Sequence, residues 1–232
     1  MRIILIPDKF KGSLSAEGVR AAIAEGVRAV YPQADLMGFP ASDGGDGFLD
    51  AVRSVREVET VQVTVEDPLG RAIRTPYLMD VARGEAFVEM ATASGMGLLT
   101  EAERDPMQTH TRGTGQLIQH AIRGGAQRVY VGLGGSATND GGCGIATVFG
   151  YRFLDRQGRE LAPVGGNLQK ISRIVRPESS KLAEGVDVIA VNDVSNPYGD
   201  QWELPWSMPG RKGLQMMLSQ YWTKACVSWS SW

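Results

Sequence analysis

Ile3-Ile4-Leu5-Ile6-Pro7-Asp8 opens the chain with a continuous apolar run that halts at a proline and an acid. Such a run reads as a strand buried on both faces of a parallel sheet. A helix follows: Ser15 can cap it, Glu17 complements its positive end, and Val19, Ala22, Ile23, Gly26, Val27 and Val30 recur at the helical period until Tyr31-Pro32. Asp35-Leu36-Met37-Gly38-Phe39 reads as a second strand, residues 44–55 as a second helix, and Thr60-Val61-Gln62-Val63-Thr64-Val65 as a third strand with alternating apolar positions. This β-α-β-α-β order predicts an α/β protein with a doubly wound parallel sheet, whose ligands bind outside the carboxyl ends of the strands.

After Asp67-Pro68-Leu69-Gly70 the rhythm changes. Ile73 to Met79 and Ala86 to Met90 are strand candidates separated by a turn at Gly84, which predicts a hairpin. Gly113 to Ile122 is helical, Arg128 to Val131 a strand, Gly144 to Phe149 a short helix, and Val186 to Val191 a final strand. Residues 1–66 are therefore expected to form the N-terminal part of a Rossmann-like domain and residues 67–198 a second α/β unit.

Composition narrows the function. The 232 residues are 43% hydrophobic, enough for a buried core, and the net charge of −2 supplies no field for capturing nucleic acid or an anionic membrane. A small-molecule ligand is expected. The apolar run at the start is too short for a signal peptide or a membrane span, and Cys143 and Cys226 form neither a metal spacing nor a disulfide framework, so a cytoplasmic protein is expected. His110 and His120 read as solvated or core histidines. The 29 glycines exceed the usual share of about 7%, and many are clustered in loops.

The last stretch departs from the rest. Trp202, Trp206, Trp222, Trp229 and Trp232 are all the tryptophans of the chain. The tail from Gly199 has no isoleucine, asparagine or phenylalanine and no periodicity over Met216 to Trp222. One explanation is an aromatic binding tail. A shift of reading frame near Tyr198 to Asp200 fits better: in the adjacent frame, Tyr221-Trp222-Thr223 forces a Leu-Asp pair through the genetic code. Residues 199–232 are thus expected to be non-native, and the nucleotide sequence downstream of codon 197 is the test.

Polar loops follow the expected strands. Pro7-Asp8-Lys9-Phe10-Lys11-Gly12-Ser13 places two lysines before a helix start, a cationic pocket for phosphate or carboxylate or a solvated loop. Ser42-Asp43-Gly44-Gly45-Asp46-Gly47 carries two carboxylates that can hold Mg²⁺ through oxygen or accept a hydroxyl proton, or else an N-cap with turn glycines. Arg112-Gly113-Thr114-Gly115 sets a guanidinium at a helix start, where it could clamp an anion. Gly132-Leu133-Gly134-Gly135-Ser136-Ala137-Thr138-Asn139-Asp140-Gly141-Gly142 follows a strand and reads as a backbone cradle for phosphate. Asn192-Asp193 adds a carboxylate at the end of the last strand.

Two enzyme classes compete. Gly132 to Ala137 satisfies G-x-G-x-x-A with Asp155 about 20 residues on, as in an NAD(P)-binding oxidoreductase. Phosphoryl transfer instead gives a role to every loop: cations and an amide cradle for phosphates, carboxylates for a metal and for the attacking hydroxyl.

Taken in order, residues 7–16, 42–47, Glu89-Met90-Ala91-Thr92-Ala93-Ser94-Gly95, 112–115 and 134–142 resemble the motifs of the bacterial glycerate kinase family, and Asp193-Val194-Ser195-Asn196-Pro197 is similar to its D-V-T-N-P segment. The resemblance implies two α/β domains, one inserted in the other, and ATP-dependent phosphorylation of glycerate with 2-phosphoglycerate favoured. It implies ATP and Mg²⁺ as cofactors. Asp43, Asp193 and Lys11 are then the catalytic candidates. Lys9, Lys11, Ser13, Arg112, Gly134, Gly135, Ser136, Asn139 and Asp140 are the candidates for substrate and phosphate, and Asp46 and Asp193 those for the metal. Members of the family continue with a C-terminal half that completes the first domain, so the resemblance also implies that this chain is a truncated, poorly soluble form without the activity.

Overall fold

The computed structural model describes residues 1–10, 13–178 and 184–192. Lys11, Asp193 and the tryptophan-rich tail lie outside the described residues, as do the expectations that rest on them.

Strand β1 (Arg2–Leu5) pairs in parallel with β2 (Asp35–Gly38), and helix α1 (Ala16–Val30) connects them. Ser15 caps α1 as its residue type predicts, accepting from the Gly18 N–H at 3.1 Å. These two strands are not buried on both faces. Ile4 is 56% exposed, and only Val19 of α1 is buried.

The third expected strand goes elsewhere. Strand β3 (Glu59–Glu66) turns at Asp67-Pro68-Leu69-Gly70 and pairs antiparallel with β4 (Ala72–Asp80) along its whole length, from Glu59 opposite Met79 to Glu66 opposite Ala72. The hairpin straddles residues 66 and 67, where the sequence reading changes unit. Asp67, 2% exposed, fastens the turn by accepting from the Leu69 and Arg71 N–H groups at 2.8 and 2.9 Å. The second hairpin forms as expected, β4 pairing with β5 (Glu85–Glu89). Beyond β5, the strands β6 (Arg128–Gly132) and β9 (Asp187–Val191) continue in parallel, giving a mixed sheet in the order β3-β4-β5-β6-β9. The expected third parallel strand thus lies in this mixed sheet, while β1 and β2 form a separate parallel pair.

Alternation along the central strands builds two cores. Tyr77, Met79, Ala86 and Val88 meet Leu117, Ile118 and Ala121 of helix α4 (Arg112–Arg123) on one face. Leu78 and Phe87 meet Phe48, Leu49 and Val52 of helix α2 (Phe48–Val55) on the other. A third cluster, Cys143, Phe153 and Leu168, joins the short helix α5 (Cys143–Val148) to β7 (Arg152–Leu154). Strand β7 pairs antiparallel with β8 (Arg173–Val175), and the short helix α3 (Ala91–Ser94) follows β5 directly. No helix among the described residues is long and apolar enough to cross a membrane.

Candidate functional site

The loops that leave β2, β5 and β6 at their carboxyl ends converge with the end of β9 through their main chains. Gly134 donates its N–H to the Gly44 carbonyl at 3.0 Å, and Leu133 donates to the Val191 carbonyl at 3.1 Å. Gly44, at φ +84°, lies so close to β9 that a Cβ would stand 2.1 Å from the Val191 carbonyl oxygen. A Cβ on Gly134 would stand 2.4 Å from the Gly45 Cα. Glycine is required on both sides because two backbones touch.

Charged side chains gather on this junction. The Lys9 ammonium donates to the Asp46 carbonyl and lies 3.6 Å from the Asp46 carboxylate. That carboxylate packs against Gly135, whose Cβ would sit 2.6 Å from Asp46 Oδ1. Asp46 remains 61% exposed, and Asp43, also exposed, accepts from the Gly45 N–H at 2.7 Å. Lys9, Asp43, Asp46, Gly134 and Gly135 thus form one cluster. Ser136 extends it: its Oγ lies 2.9 Å from the Thr138 hydroxyl, and its backbone bridges to Gly95. Ser13 serves the first loop through its backbone, donating its N–H to the Phe10 carbonyl.

Two predicted anion contacts are engaged otherwise. Asp140 is 1% exposed and saturated by this chain. Oδ2 accepts from the Thr111 N–H, the Thr111 hydroxyl and the Gly144 N–H, and Oδ1 accepts from the Gly142 N–H, all within 2.8–2.9 Å. It ties the start of α4 to the start of α5, and supplies to both the acceptors that helix N-termini lack. Arg112 meets Glu66 of β3 with two nitrogens, at 2.9 and 3.3 Å, and donates to the Thr147 hydroxyl at 3.1 Å. Against burial, which by itself raises a carboxyl pKa, the Arg112 pairing and the Gln116 amide hold Glu66 below its ordinary value. Arg112 also lines an open groove of about 410 Å³ with Thr147, Tyr151, Arg152 and Glu160.

The glycines beside Arg112 have a packing role as well. A Cβ at Gly113 would stand 1.9 Å from the Glu66 carbonyl oxygen, and one at Gly115 would stand 2.8 Å from the Ile145 Cα. Close approach between α4, β3 and α5 requires both. For Asn139 the structure records only backbone proximity, its carbonyl oxygen 3.2 Å from where a Gly165 Cβ would lie.

The dinucleotide reading fails on geometry. A fingerprint loop runs straight into a helix, but Ser136 bridges to Gly95 and α5 begins only at Cys143, behind a Gly142 cap. Asp155, cast there as the ribose acceptor, instead closes a turn by accepting from Gln157 and Arg159 N–H groups and pairing with the Arg159 guanidinium.

Sequence reasoning assigned Glu89 no role at the site. It ends β5, is 6% exposed, and accepts from the Gly47 and Leu49 N–H groups at 3.2 and 3.0 Å. Burial, helped by the nearby charges of Asp46 and Asp50, raises its carboxyl pKa despite those two hydrogen bonds. His110, by contrast, is a core histidine as expected. Burial lowers its pKa, opposed by the charges of Glu66 and Asp140.

The fold and these loops define an α/β protein with a candidate ligand site at the carboxyl ends of its strands. The glycerate kinase family model matches residues 3–201, and the chain belongs to that family. It is 40% identical over 197 residues to the glycerate kinase of Bacillus subtilis (strain 168) and 37% identical over 198 residues to the glycerate 2-kinase of Escherichia coli (strain K12). Each match covers 85% of this chain and 52% of the relative, so the chain spans about half the length of the curated relatives it matches. A crystal structure described as glycerate kinase 2 from Salmonella typhimurium LT2 superposes with a TM-score of 0.75 at 35% identity, covering 95% of this chain and 61% of that one.

Proposed function

We propose that the chain carries part of a site that phosphorylates glycerate with ATP, with 2-phosphoglycerate as the product. The observation that supports this most directly is the cluster of Lys9, Asp46 and Gly135 over the Gly44–Gly134 backbone junction. It sets a cation and open glycine backbone where phosphate oxygens would be held, with the Asp43 and Asp46 carboxylates alongside.

Phosphoryl transfer depends on position and charge more than on covalent help from the protein. Lys9 would neutralise a phosphate oxygen, and the N–H groups of Gly135 and Ser136 would orient it. Mg²⁺ is usually held by one or two carboxylates together with nucleotide phosphates. Asp43 and Asp46 offer that donor chemistry, although no group of three or more His, Cys, Asp or Glu that could hold a metal ion exists among the described residues. When bound, the metal would offset charge on the transferring phosphoryl group. Arg112 is held by Glu66 and Thr147, and its remaining N–H groups would be the ones to meet a carboxylate ligand.

The test joins residues 1–198 of this chain to the remaining length of the Bacillus subtilis relative and follows glycerate-dependent ADP formation, with the product identified by phosphorus NMR. Turnover to 2-phosphoglycerate that is lost with Lys9→Ala supports the reading. A folded chimera that forms no phosphoglycerate overturns it, and 3-phosphoglycerate overturns the assigned position.

A further inference from the structure

Helix α2 starts without a cap of its own. Gly47 occupies the N-cap position at φ +91° and has no side chain to offer, so the first-turn N–H groups need an acceptor from elsewhere. Glu89 provides it from across the fold, one carboxylate oxygen to Gly47 and the other to Leu49. The residue before this turn is Asp46, which bears on Lys9 and on Gly135. Glu89 is itself the register partner of Gly132, and the following Met90 N–H donates to the Gly132 carbonyl at 2.9 Å. The strand that leads into the glycine cradle and the helix start that presents Asp46 are therefore both referenced to the end of β5.

We infer that Glu89 is a positioning residue: it caps α2 from the end of β5, and so fixes the Gly44–Gly47 loop and Asp46 against the Gly134–Gly135 loop. The inference deepens the phosphate-binding role proposed above for those loops, and rests on it for its functional meaning. A buried carboxylate used only for stability would be an expensive choice, because burial without a cationic partner disfavours its charged form. Lys9 pairs with Asp46 rather than Glu89, and among the described residues the donors that meet the Glu89 carboxylate are two backbone N–H groups. Replacing it by a neutral isostere relieves the buried charge and also turns an N–H donor toward one of the two amides. A positioning role thus predicts local loosening without global loss.

The experiment compares the 232-residue chain with Glu89→Gln, and with Asp50→Asn as the control for removing a neighbouring exposed charge. Amide hydrogen exchange is read by NMR at Gly47, Leu49 and Gly134, with Leu117 and Ile118 of α4 as internal reference. Glu89→Gln is expected to speed exchange at the three loop amides by at least about tenfold and to leave α4 and the melting temperature unchanged or improved. Asp50→Asn should change none of the three. Unchanged exchange at Gly47 and Leu49 overturns the inference. So does a uniform acceleration that includes α4, which marks an ordinary structural residue. Inorganic phosphate is then titrated while the Gly134–Ser136 amides are followed. Saturable shifts in the wild type that weaken at least about tenfold in Glu89→Gln complete the case. Loss of the exchange effect refutes the role of Glu89, whereas absence of phosphate shifts in the wild type refutes the phosphate reading of the loops.

Discussion

Thr111 gives both its N–H and its hydroxyl to a single oxygen of Asp140, each at 2.8 Å. The same hydroxyl accepts from the Ile145 N–H at 3.1 Å, so the pair links α4 to α5 through one buried knot. A carboxylate oxygen gains more from each hydrogen bond than a neutral acceptor would.

Thr111→Val removes one charged hydrogen bond and strands the Ile145 N–H, which should cost about 2–3 kcal/mol. Asp140→Asn keeps the shape but turns an amide N–H against at least one donor and removes the charge from the other hydrogen bonds, and should cost at least as much. Urea unfolding of the two variants checks this. A loss below about 0.5 kcal/mol for both would show that the knot is not a support of the fold.

Glycine substitutions should separate two kinds of glycine. Gly44→Ala drives a methyl into the Val191 carbonyl at a positive φ and should destabilise by more than about 1 kcal/mol. Gly26→Ala lies inside α1 with nothing within 4 Å of the new methyl, and should stabilise by up to about 1 kcal/mol. Thermal melts of both variants read the opposite signs directly.

Acid should unfold the β3–β4 hairpin early. Against the opposing effect of burial, the Arg71 backbone and guanidinium hold Asp67 below its ordinary 3.8, and Arg112 with Gln116 hold Glu66 below 4.5. A depressed folded pKa contributes stability that is present above the unfolded value and is lost as the pH falls through the folded one. Stability should therefore decline below about pH 4.5, and Asp67→Asn should flatten that decline. Glu89 has the opposite sign, since its pKa is raised and the stability it adds is lost as the pH rises. Urea midpoints measured from below about pH 4 to about pH 7 test both signs.

Cys143 should resist modification in the folded chain. Burial, with the Asp140 charge beside it, pushes its thiol up to about 12, so almost no thiolate exists at neutral pH. Iodoacetamide labelling mapped by peptide mass should find Cys143 unmodified until denaturant is added. Rapid native labelling would show that the Cys143–Phe153–Leu168 cluster opens readily.

Local signals in the sequence were enough for α1 with its Ser15 cap, for α4, and for the β4–β5 hairpin. Capping residues, helical periodicity and a turn glycine act within a few positions, and those elements form where these signals place them. The partner of β3 was not legible, because alternation tells which side of a strand is buried and says nothing of which strand lies beside it. Lys9 and Asp46 were legible as site candidates from their glycine-rich loops. Asp140 stood in a similar setting, yet its neighbours in space are two helix starts that consume its oxygens. Glu89 caps a helix 40 residues upstream in the chain, a relationship that no local pattern can announce.

The junction of Gly44, Gly134 and Val191 is made of main chain, so it constrains how such sites can be rebuilt by recombination. A loop transplanted from a distant relative keeps this contact only if its glycine arrives at the point of contact. A graft of 42–47 alone, or of 132–136 alone, keeps the seam only if the resident loop already has its matching glycine. The two loops therefore behave as a single heritable unit although 90 residues of chain separate Gly44 from Gly134.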